Sequence, residues 1–413
     1  MLKKIAIGDL TVDMYVAELI AGPGAAMPKK KKGMVRDPRI IAKFVEVGIE
    51  HVVIDTARGL DVIDLPPANE AVVNPSQYVD QVIQGDLAQL MEETSTHYRE
   101  LRLEWGTAKE VFDTSVAIVS NTIEAVKDGK SINPEYFRQA ASAISRSVLR
   151  NKDALTWLGK FRDINSYLYE HSVNCAVLMG IFAHANGFNA LQVEQCITGA
   201  LLHDLGEALV DSELFERSGP LSPEEYEQIQ QHVFFGQSLV QDVENVEDIA
   251  IRMIEEHHER VDGSGYPMRL KGKEISVFGR MLAIVDTYDA VTNNRTYKEA
   301  VPSSVGMRTL LESCNTHFDE SLVHVFIKCM GVYPTGSLVK LSNGMLAVVI
   351  AQIPGAPLKP LVRTIYNLKS AAYVEPRLTD LSLPNCELKV VSYEDPRKYK
   401  IDVYEFMPTE YDF

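Results

Sequence analysis

An ordered succession of histidines and aspartates is the feature that most constrains this chain. Six of its ten histidines lie between residues 171 and 258, in a stretch with helical spacing, and five of these six stand in patterns that metals would use. Imidazole and carboxylate groups together suit iron, manganese, zinc or nickel, whereas calcium and magnesium prefer shells made of oxygen. We therefore expect a metal site, and its candidate ligands are His171, His203, Asp204, His232, His257, His258 and Asp286.

Two of these candidates stand in informative local contexts. Asp204 directly follows His203, close to Gly206, where we expect the preceding helix to end. At a helix end both side chains can turn toward one cavity. Asp286 interrupts an apolar helical run, and a buried lone carboxylate is costly unless a cation neutralises it. Each residue taken singly is more often structural, but the ordered set in one helical region favours a metal site.

The remaining histidines and the cysteines show no such pattern. The five cysteines are scattered without a Cys-x-x-Cys pair, which predicts a reduced, cytosolic chain without disulfides or a zinc-thiolate site. No apolar run approaches the roughly 20 residues that span a bilayer, and no signal peptide is expected. We therefore expect a cytoplasmic protein without a membrane partner. The histidines expected to be structural are His51, His97, His184, His317 and His324.

The net charge of -16 limits the partners of the chain. Nucleic-acid polymers are bound through clustered lysines and arginines, so a general electrostatic footprint for them is excluded. An anionic substrate can still bind, but metal ions or a few placed basic residues must neutralise its charge locally.

Changes of pattern divide the 413 residues into four segments. Residues 1–75 contain short β-type runs around a helical stretch at 38–47, which indicates a small α/β domain. A regulatory role for this domain is left open. Residues 76–150 have helical spacing, broken once at Asn133-Pro134, and are expected to form a connector of the kind that transmits signals or dimerises.

The second half of the chain changes from helical to β-type patterns. Residues 151–331 read as successive helices, and Ser222 with Glu225 forms a capping-box pattern. Residues 332–413 hold apolar runs on either side of Ser342-Asn343-Gly344, a hairpin signal. We therefore predict a mainly α fold with a small N-terminal α/β domain and a small C-terminal β-rich module.

One long motif points to a known family. Residues 257–267, His-His-Glu-Arg-Val-Asp-Gly-Ser-Gly-Tyr-Pro, resemble the signature of HD-GYP domains. The order and spacing of the other motifs also resemble the family over roughly residues 160–330, and residues 1–130 more weakly resemble a domain of unknown function often found ahead of it. The other matching segments are His203–Gly206, His232–Gly236, Asp286–Ala290 and Asn294–Lys298.

The resemblance implies an all-helical HD-type phosphohydrolase domain from bacterial signal transduction, with divalent metals that are often iron or manganese. One metal would be held by His171, His203, Asp204 and Asp286, and the second by His232, His257 and His258, with Asp204 bridging. Two metals about 3.5–4 Å apart generate hydroxide near neutral pH and clamp the phosphate. Members proposed to hold three metals carry Glu where this chain has Tyr167, so we expect two.

The resemblance also implies contacts beyond the metals. Arg295 and Lys298 would contact the substrate phosphates, since arginine offers a fork to oxyanions and lysine a point charge. The loop at Gly263–Pro267 serves partner contacts in the family, which implies diguanylate cyclase domains as partners; a homodimer is also compatible with the helical connector. The chain departs from the family at Glu207, where lysine is usual. We expect Glu207 to add a carboxylate to the catalytic centre beside Asp204.

The leading interpretation is hydrolysis of cyclic di-GMP to the linear dinucleotide, with further cleavage to GMP left open. A second interpretation is a non-catalytic receptor for the same nucleotide; the complete ligand set argues against it, and Glu207 is the one feature in its favour. A third is an HD-type hydrolase of another nucleotide, against which the Gly-Tyr-Pro motif argues.

Overall fold

The fold was obtained as a computed structural model. It describes residues 2–7, 10, 14–21, 32–35, 38–56, 58, 87–160, 167–216, 219, 221–241, 243, 246–293 and 301–406, without side-chain detail at 21, 34, 38–39, 42, 46, 87–100, 167–168 and 216. The predicted architecture is confirmed: most described elements are helices, with a small sheet near each end of the chain. The segment boundaries at 75, 150 and 331 stay a prediction.

The N-terminal sheet is antiparallel, with strand order β1-β4-β2-β3. Its inner strand β4 alternates between buried and accessible side chains, and Val52 and Ile54 are completely buried. This period of two is what a sheet with one covered face requires. The bounds are β1 (Leu2–Ala6), β2 (Tyr15–Ala21), β3 (Gly33–Met34), α1 (Pro38–Glu46) and β4 (Ile49–Asp55).

Successive helices form the middle of the chain. Helices α2 and α3 are joined at the predicted break, where Asn133 caps α3 by accepting a hydrogen bond from the backbone N–H of Glu135. Among the described residues, no helix combines the length and apolar character that a membrane span requires. The bounds are α2 (Leu87–Lys127), α3 (Pro134–Leu158), α4 (Tyr167–Ala185), α5 (Ala190–Leu202), a 3-10 helix (Leu205–Leu209), α6 (Glu213–Glu216), α7 (Pro223–Val240), α8 (Asp248–Glu256), α9 (Val277–Thr292), α10 (Ser303–Glu312) and α11 (Glu320–Met330).

The C-terminal module is a five-stranded antiparallel sheet with order β8-β7-β6-β5-β9. The predicted hairpin joins β5 to β6, and Gly344 in its turn has φ of 79°, a conformation that glycine adopts without strain. The bounds are β5 (Leu338–Leu341), β6 (Met345–Ala351), β7 (Leu361–Asn367), β8 (Ala372–Asp380), β9 (Val390–Tyr393) and α12 (Pro396–Tyr399).

A kink in α3 connects this module to the helices. Asn151 has non-helical backbone angles, and the turn after it contains the buried carboxylate of Asp153. Asp153 accepts hydrogen bonds from the hydroxyl of Thr335, at 2.6 Å, and from the backbone N–H of Gln352, at 3.1 Å. The indole of Trp157, also buried, donates to a backbone carbonyl of β6 at 2.7 Å. The module therefore packs directly on the helical core.

Candidate metal centre

The centre begins at the end of α5, where the chain changes from α to 3-10 geometry. The sequence placed the helix end at Gly206, but α5 ends at Leu202, and His203 is its C-cap. Gly206 lies in the 3-10 helix, and a Cβ there would be 1.9 Å from the carbonyl oxygen of His232 on α7. The glycine therefore permits close contact with α7 instead of ending the helix.

Three histidines share one orientation. Nδ1 of His203, His232 and His257 lies 2.8, 2.7 and 2.9 Å, respectively, from the backbone carbonyl oxygen three residues earlier. A carbonyl can only accept, so Nδ1 carries the hydrogen and Nε2 keeps its lone pair. All three rings are buried. Backbone contacts of this kind fix the tautomer and the direction in which a metal ligand points.

His171 on α4 is oriented by a side chain instead. Its Nδ1 donates to Oδ2 of Asp289 on α9 at 2.6 Å, and the other oxygen of Asp289 accepts from the amide of Asn293 at 2.7 Å. The sequence reasoning gave Asp289 no role of its own. Its position three residues after Asp286, on the same face of α9, was the available signal.

The carboxylate of Asp204 lies at the middle of the cluster. Its Oδ2 is 3.0 Å from Nε2 of His203 and 3.5 Å from Nε2 of His171. Its Oδ1 is 3.4 Å from Nε2 of His257 and 3.7 Å from Nε2 of His232. Each carboxylate oxygen therefore faces its own pair of imidazoles.

Two further candidate ligands complete the set. Oδ1 of Asp286 lies 3.3 Å from Nε2 of His171. His258 offers a nitrogen within 4.8 Å of ligand atoms of Asp204, His232 and His257. The structure thus brings together all seven candidates, in two subgroups that meet at Asp204.

Electrostatics keep four of these groups in the protonation states that metals require. Burial acts to raise the pKa of Asp204, but His203 holds it well below its ordinary value, and His171 does the same for Asp286. Burial lowers the pKa of His232 to about 4 and that of His258 well below its ordinary range. Near neutral pH both carboxylates are ionised, and these two imidazoles are neutral, as ligation requires.

The donor atoms fit divalent metals. Nε2 of His203 is buried and makes no hydrogen bond within the described structure, although Asp204 is near it. Ligands 2.0–2.2 Å from a metal lie about 3–3.5 Å from one another, close to the separations found here. Cys175 lies 3.7 Å from Nε2 of His171, but burial raises the pKa of its thiol to about 12. It is therefore protonated and a poor ligand.

Three further site residues were predicted, namely Glu207, Arg295 and Lys298. Glu207 lies on the 3-10 helix, half-buried, and its backbone N–H donates to the carbonyl of Asp204 at 2.9 Å. Among the described residues, neither cluster of metal-capable side chains includes it. Arg295 and Lys298 lie outside the described residues.

Asp289→Asn is expected to weaken metal binding and turnover by roughly ten- to a hundredfold, the usual effect of losing a carboxylate that orients a ligating histidine. The amide keeps the size of the side chain but removes the charge that makes His171 more basic. Metal titration with parallel turnover measurements tests this. The matched control is Asp113→Asn, which affects an exposed carboxylate on α2. Equal metal affinity in both variants would contradict the role assigned to Asp289.

The sequence also resembles those of known proteins. Residues 162–322 match the family model described as HD domain, and residues 2–137 match the model described as domain of unknown function (DUF3391). Over 396 residues, covering 95% of this chain and 92% of the relative, the chain is 29% identical to a cyclic di-GMP phosphodiesterase of Pseudomonas aeruginosa.

Two further proteins resemble the chain over a shorter stretch or at lower sequence identity. The chain is 28% identical to 3'3'-cGAMP-specific phosphodiesterase 3 of Vibrio cholerae over 181 residues, which cover 44% of this chain and 39% of that protein. A solved HDG"Y"P protein of Bdellovibrio bacteriovorus aligns with a TM-score of 0.41 and 15% identity, covering 79% of this chain and 98% of that one.

Proposed function

Because the chain joins a DUF3391 domain to an HD domain, we propose that it is a metal-dependent phosphodiesterase that hydrolyses cyclic di-GMP. Both domains expected from the motifs are present. The named activity of the Pseudomonas relative, which is similar over nearly the whole chain, supports this substrate. The products proposed are the linear dinucleotide and, by a second cleavage, GMP.

The observation that carries the proposal is the position of Asp204. Its two oxygens face separate pairs of imidazoles, at 3.0 and 3.5 Å on one side and 3.4 and 3.7 Å on the other. A carboxylate in this position can bridge two metals. We assign His171, His203 and Asp286 to one metal and His232, His257 and His258 to the other.

The residues of the chain prepare the site for an anionic substrate. Two bound divalent metals would neutralise phosphate oxygens and lower the pKa of a shared water. The carboxylate of Asp204 lies between the two pairs of imidazoles. Asp289 fixes the ring of His171 so that its Nε2 points toward Asp204 and Asp286. Without cations the carboxylates of Asp204 and Asp286 would repel a phosphodiester. On a chain of net charge -16, substrate attraction therefore has to be local.

Several finer assignments rest on the family resemblance. We propose iron or manganese as the metal, with nickel and zinc also compatible with the ligand types. Arg295 and Lys298 are proposed to contact the substrate phosphates. The loop at Gly263–Pro267 is proposed to contact diguanylate cyclase domains, and the protein is proposed to act in the cytoplasm, as a homodimer.

Incubation of the metal-reconstituted protein with cyclic di-GMP, followed by chromatography of the products, tests the function. We expect the linear dinucleotide to appear, and no conversion after the metal is chelated. A parallel incubation with 3'3'-cGAMP tests the second substrate suggested by the Vibrio relative. Binding of cyclic di-GMP without conversion by the metal-loaded protein would identify a receptor instead.

Glu207→Lys is expected to lower metal affinity and slow turnover. A carboxylate near two divalent cations is stabilised as the anion, by direct ligation or through another ligand. Metal titration of the variant beside the parent protein measures the effect. If the variant instead binds cyclic di-GMP more tightly with unchanged metal affinity, Glu207 only repels phosphate. Glu213→Lys, at an exposed position six residues later, is the matched charge-reversal control.

A further inference from the structure

A row of aromatic rings leads outward from the metal centre. The ring of Tyr266 stacks on His258, with centroids 4.6 Å apart and planes 28° apart. It also lies 6.4 Å from the ring of His232. On its outer side, Tyr226 approaches edge-on at 6.1 Å. Rings from α7 and from the loop after α8 therefore form one continuous wall beside the ligands.

The loop that presents Tyr266 is held from several directions. The backbone N–H of Tyr266 donates to the carbonyl of His258 at 3.2 Å. Glu259, buried, accepts hydrogen bonds from the backbone N–H groups of Met268 and Leu270 at 2.7 and 2.9 Å. A Cβ on Gly265 would lie 2.4 Å from the backbone nitrogen of Arg260, so only glycine allows the loop to pass this close to the backbone at Arg260. The position of Tyr266 is therefore set by contacts within the protein.

The outer ring of the wall is accessible. Tyr226 is 48% exposed although it is a large aromatic side chain. It lies in the first turn of α7, six residues before His232, which corresponds to about 9 Å along the helix axis. A nucleotide whose phosphate is held at the metals must place its base to one side of them. The exposed ring of Tyr226 offers that base a flat apolar face.

We propose that Tyr226, supported by Tyr266, forms a subsite on which a purine base of the cyclic dinucleotide stacks. This inference rests on the proposed function and deepens it. Every base has a π face, and stacking on an aromatic side chain stabilises binding without requiring specific hydrogen bonds. Since the cations neutralise only the phosphate, the wall supplies a contact that a simple phosphodiester cannot use.

The test compares cyclic di-GMP as substrate with dimethyl phosphate, a phosphodiester without any ring, as a competitive inhibitor. We expect Tyr226→Ala to raise the ratio of the KM for cyclic di-GMP to the inhibition constant of dimethyl phosphate by about five- to a hundredfold. Tyr226→Phe keeps the ring and is expected to keep the ratio within about twofold. Metal content, measured in every variant, excludes an effect through the ligands.

Phe234 supplies the matched control. It is an aromatic residue of the same helix, 42% exposed, with no ring contact to Tyr266 among the described residues. Phe234→Ala should leave the ratio of the KM for cyclic di-GMP to the inhibition constant of dimethyl phosphate unchanged. An unchanged ratio in Tyr226→Ala, or an equal rise in Phe234→Ala, would overturn the subsite.

Failure of the proposed function is distinguishable from failure of the subsite. If the parent protein leaves cyclic di-GMP intact, the activity is refuted. The same variants are then compared by their dissociation constants for cyclic di-GMP. A weakening confined to Tyr226→Ala supports the subsite, and equal constants, or no binding by the parent, overturn it.

Discussion

Asp204→Ala is expected to abolish turnover and to remove bound metal at the same time. Among the described residues, this side chain alone is seen to face both sets of imidazoles, so its loss takes a ligand from each proposed metal. Metal chemistry supplies several kcal/mol of transition-state stabilisation, and we therefore expect turnover to fall by more than about a thousandfold. Elemental analysis and a turnover assay on the same preparation measure the two effects.

The control for this variant is His184→Ala. His184 lies on α4, the helix that also carries His171, but outside both clusters of metal-capable side chains found among the described residues. Its removal should leave metal content and turnover intact. If Asp204→Ala retains its full metal content, the bridging role of Asp204 is wrong.

Gly206→Ala is expected to destabilise the protein by about 1–3 kcal/mol and to weaken metal binding. The added Cβ would lie 1.9 Å from the carbonyl oxygen of His232 and 2.5 Å from the backbone nitrogen of Gly236. Both neighbours are backbone atoms, so no side-chain rotation relieves the overlap. The 3-10 helix must move away from α7, and this separates Asp204 from His232.

Thermal unfolding with and without metal measures this effect. Gly106→Ala is the control, since its Cβ would meet no atom within 4 Å and Gly106 lies inside α2. Alanine is favoured over glycine in a helix interior by roughly 0.5–1 kcal/mol, so the control should not lose stability. Equal melting temperatures for Gly206→Ala and the parent would contradict the close contact.

Features determined by neighbouring residues could be predicted from the sequence. The capping box of α7 is present: Glu225 donates its backbone N–H to Ser222, and its carboxylate accepts from the Ser222 backbone. The hairpin between β5 and β6 and the break at Asn133 also depend on local chemistry. Strand β8 was missed, because its side chains are mostly exposed and its burial does not alternate.

Features that depend on distant residues could not be predicted in the same way. The motif spacing predicted the candidate ligands, but the partner of Asp289 lies 118 residues away. The role of Gly206 likewise depends on how α7 approaches the 3-10 helix. A residue pattern shows which groups are present in a site. It does not show which second carboxylate orients a ligand or where two backbones touch.

The junction at Asp153 has a consequence for the cooperativity of unfolding. This carboxylate satisfies its hydrogen bonds with groups 182 and 199 residues further along the chain. If the C-terminal sheet detached alone, the buried carboxylate of Asp153 would lose these two hydrogen bonds, and Trp157 would lose its acceptor on β6. Removing hydrogen-bond partners from buried polar groups is destabilising. The helices around the metal centre and the C-terminal sheet therefore form one cooperative unit, although they occupy separate segments of the sequence.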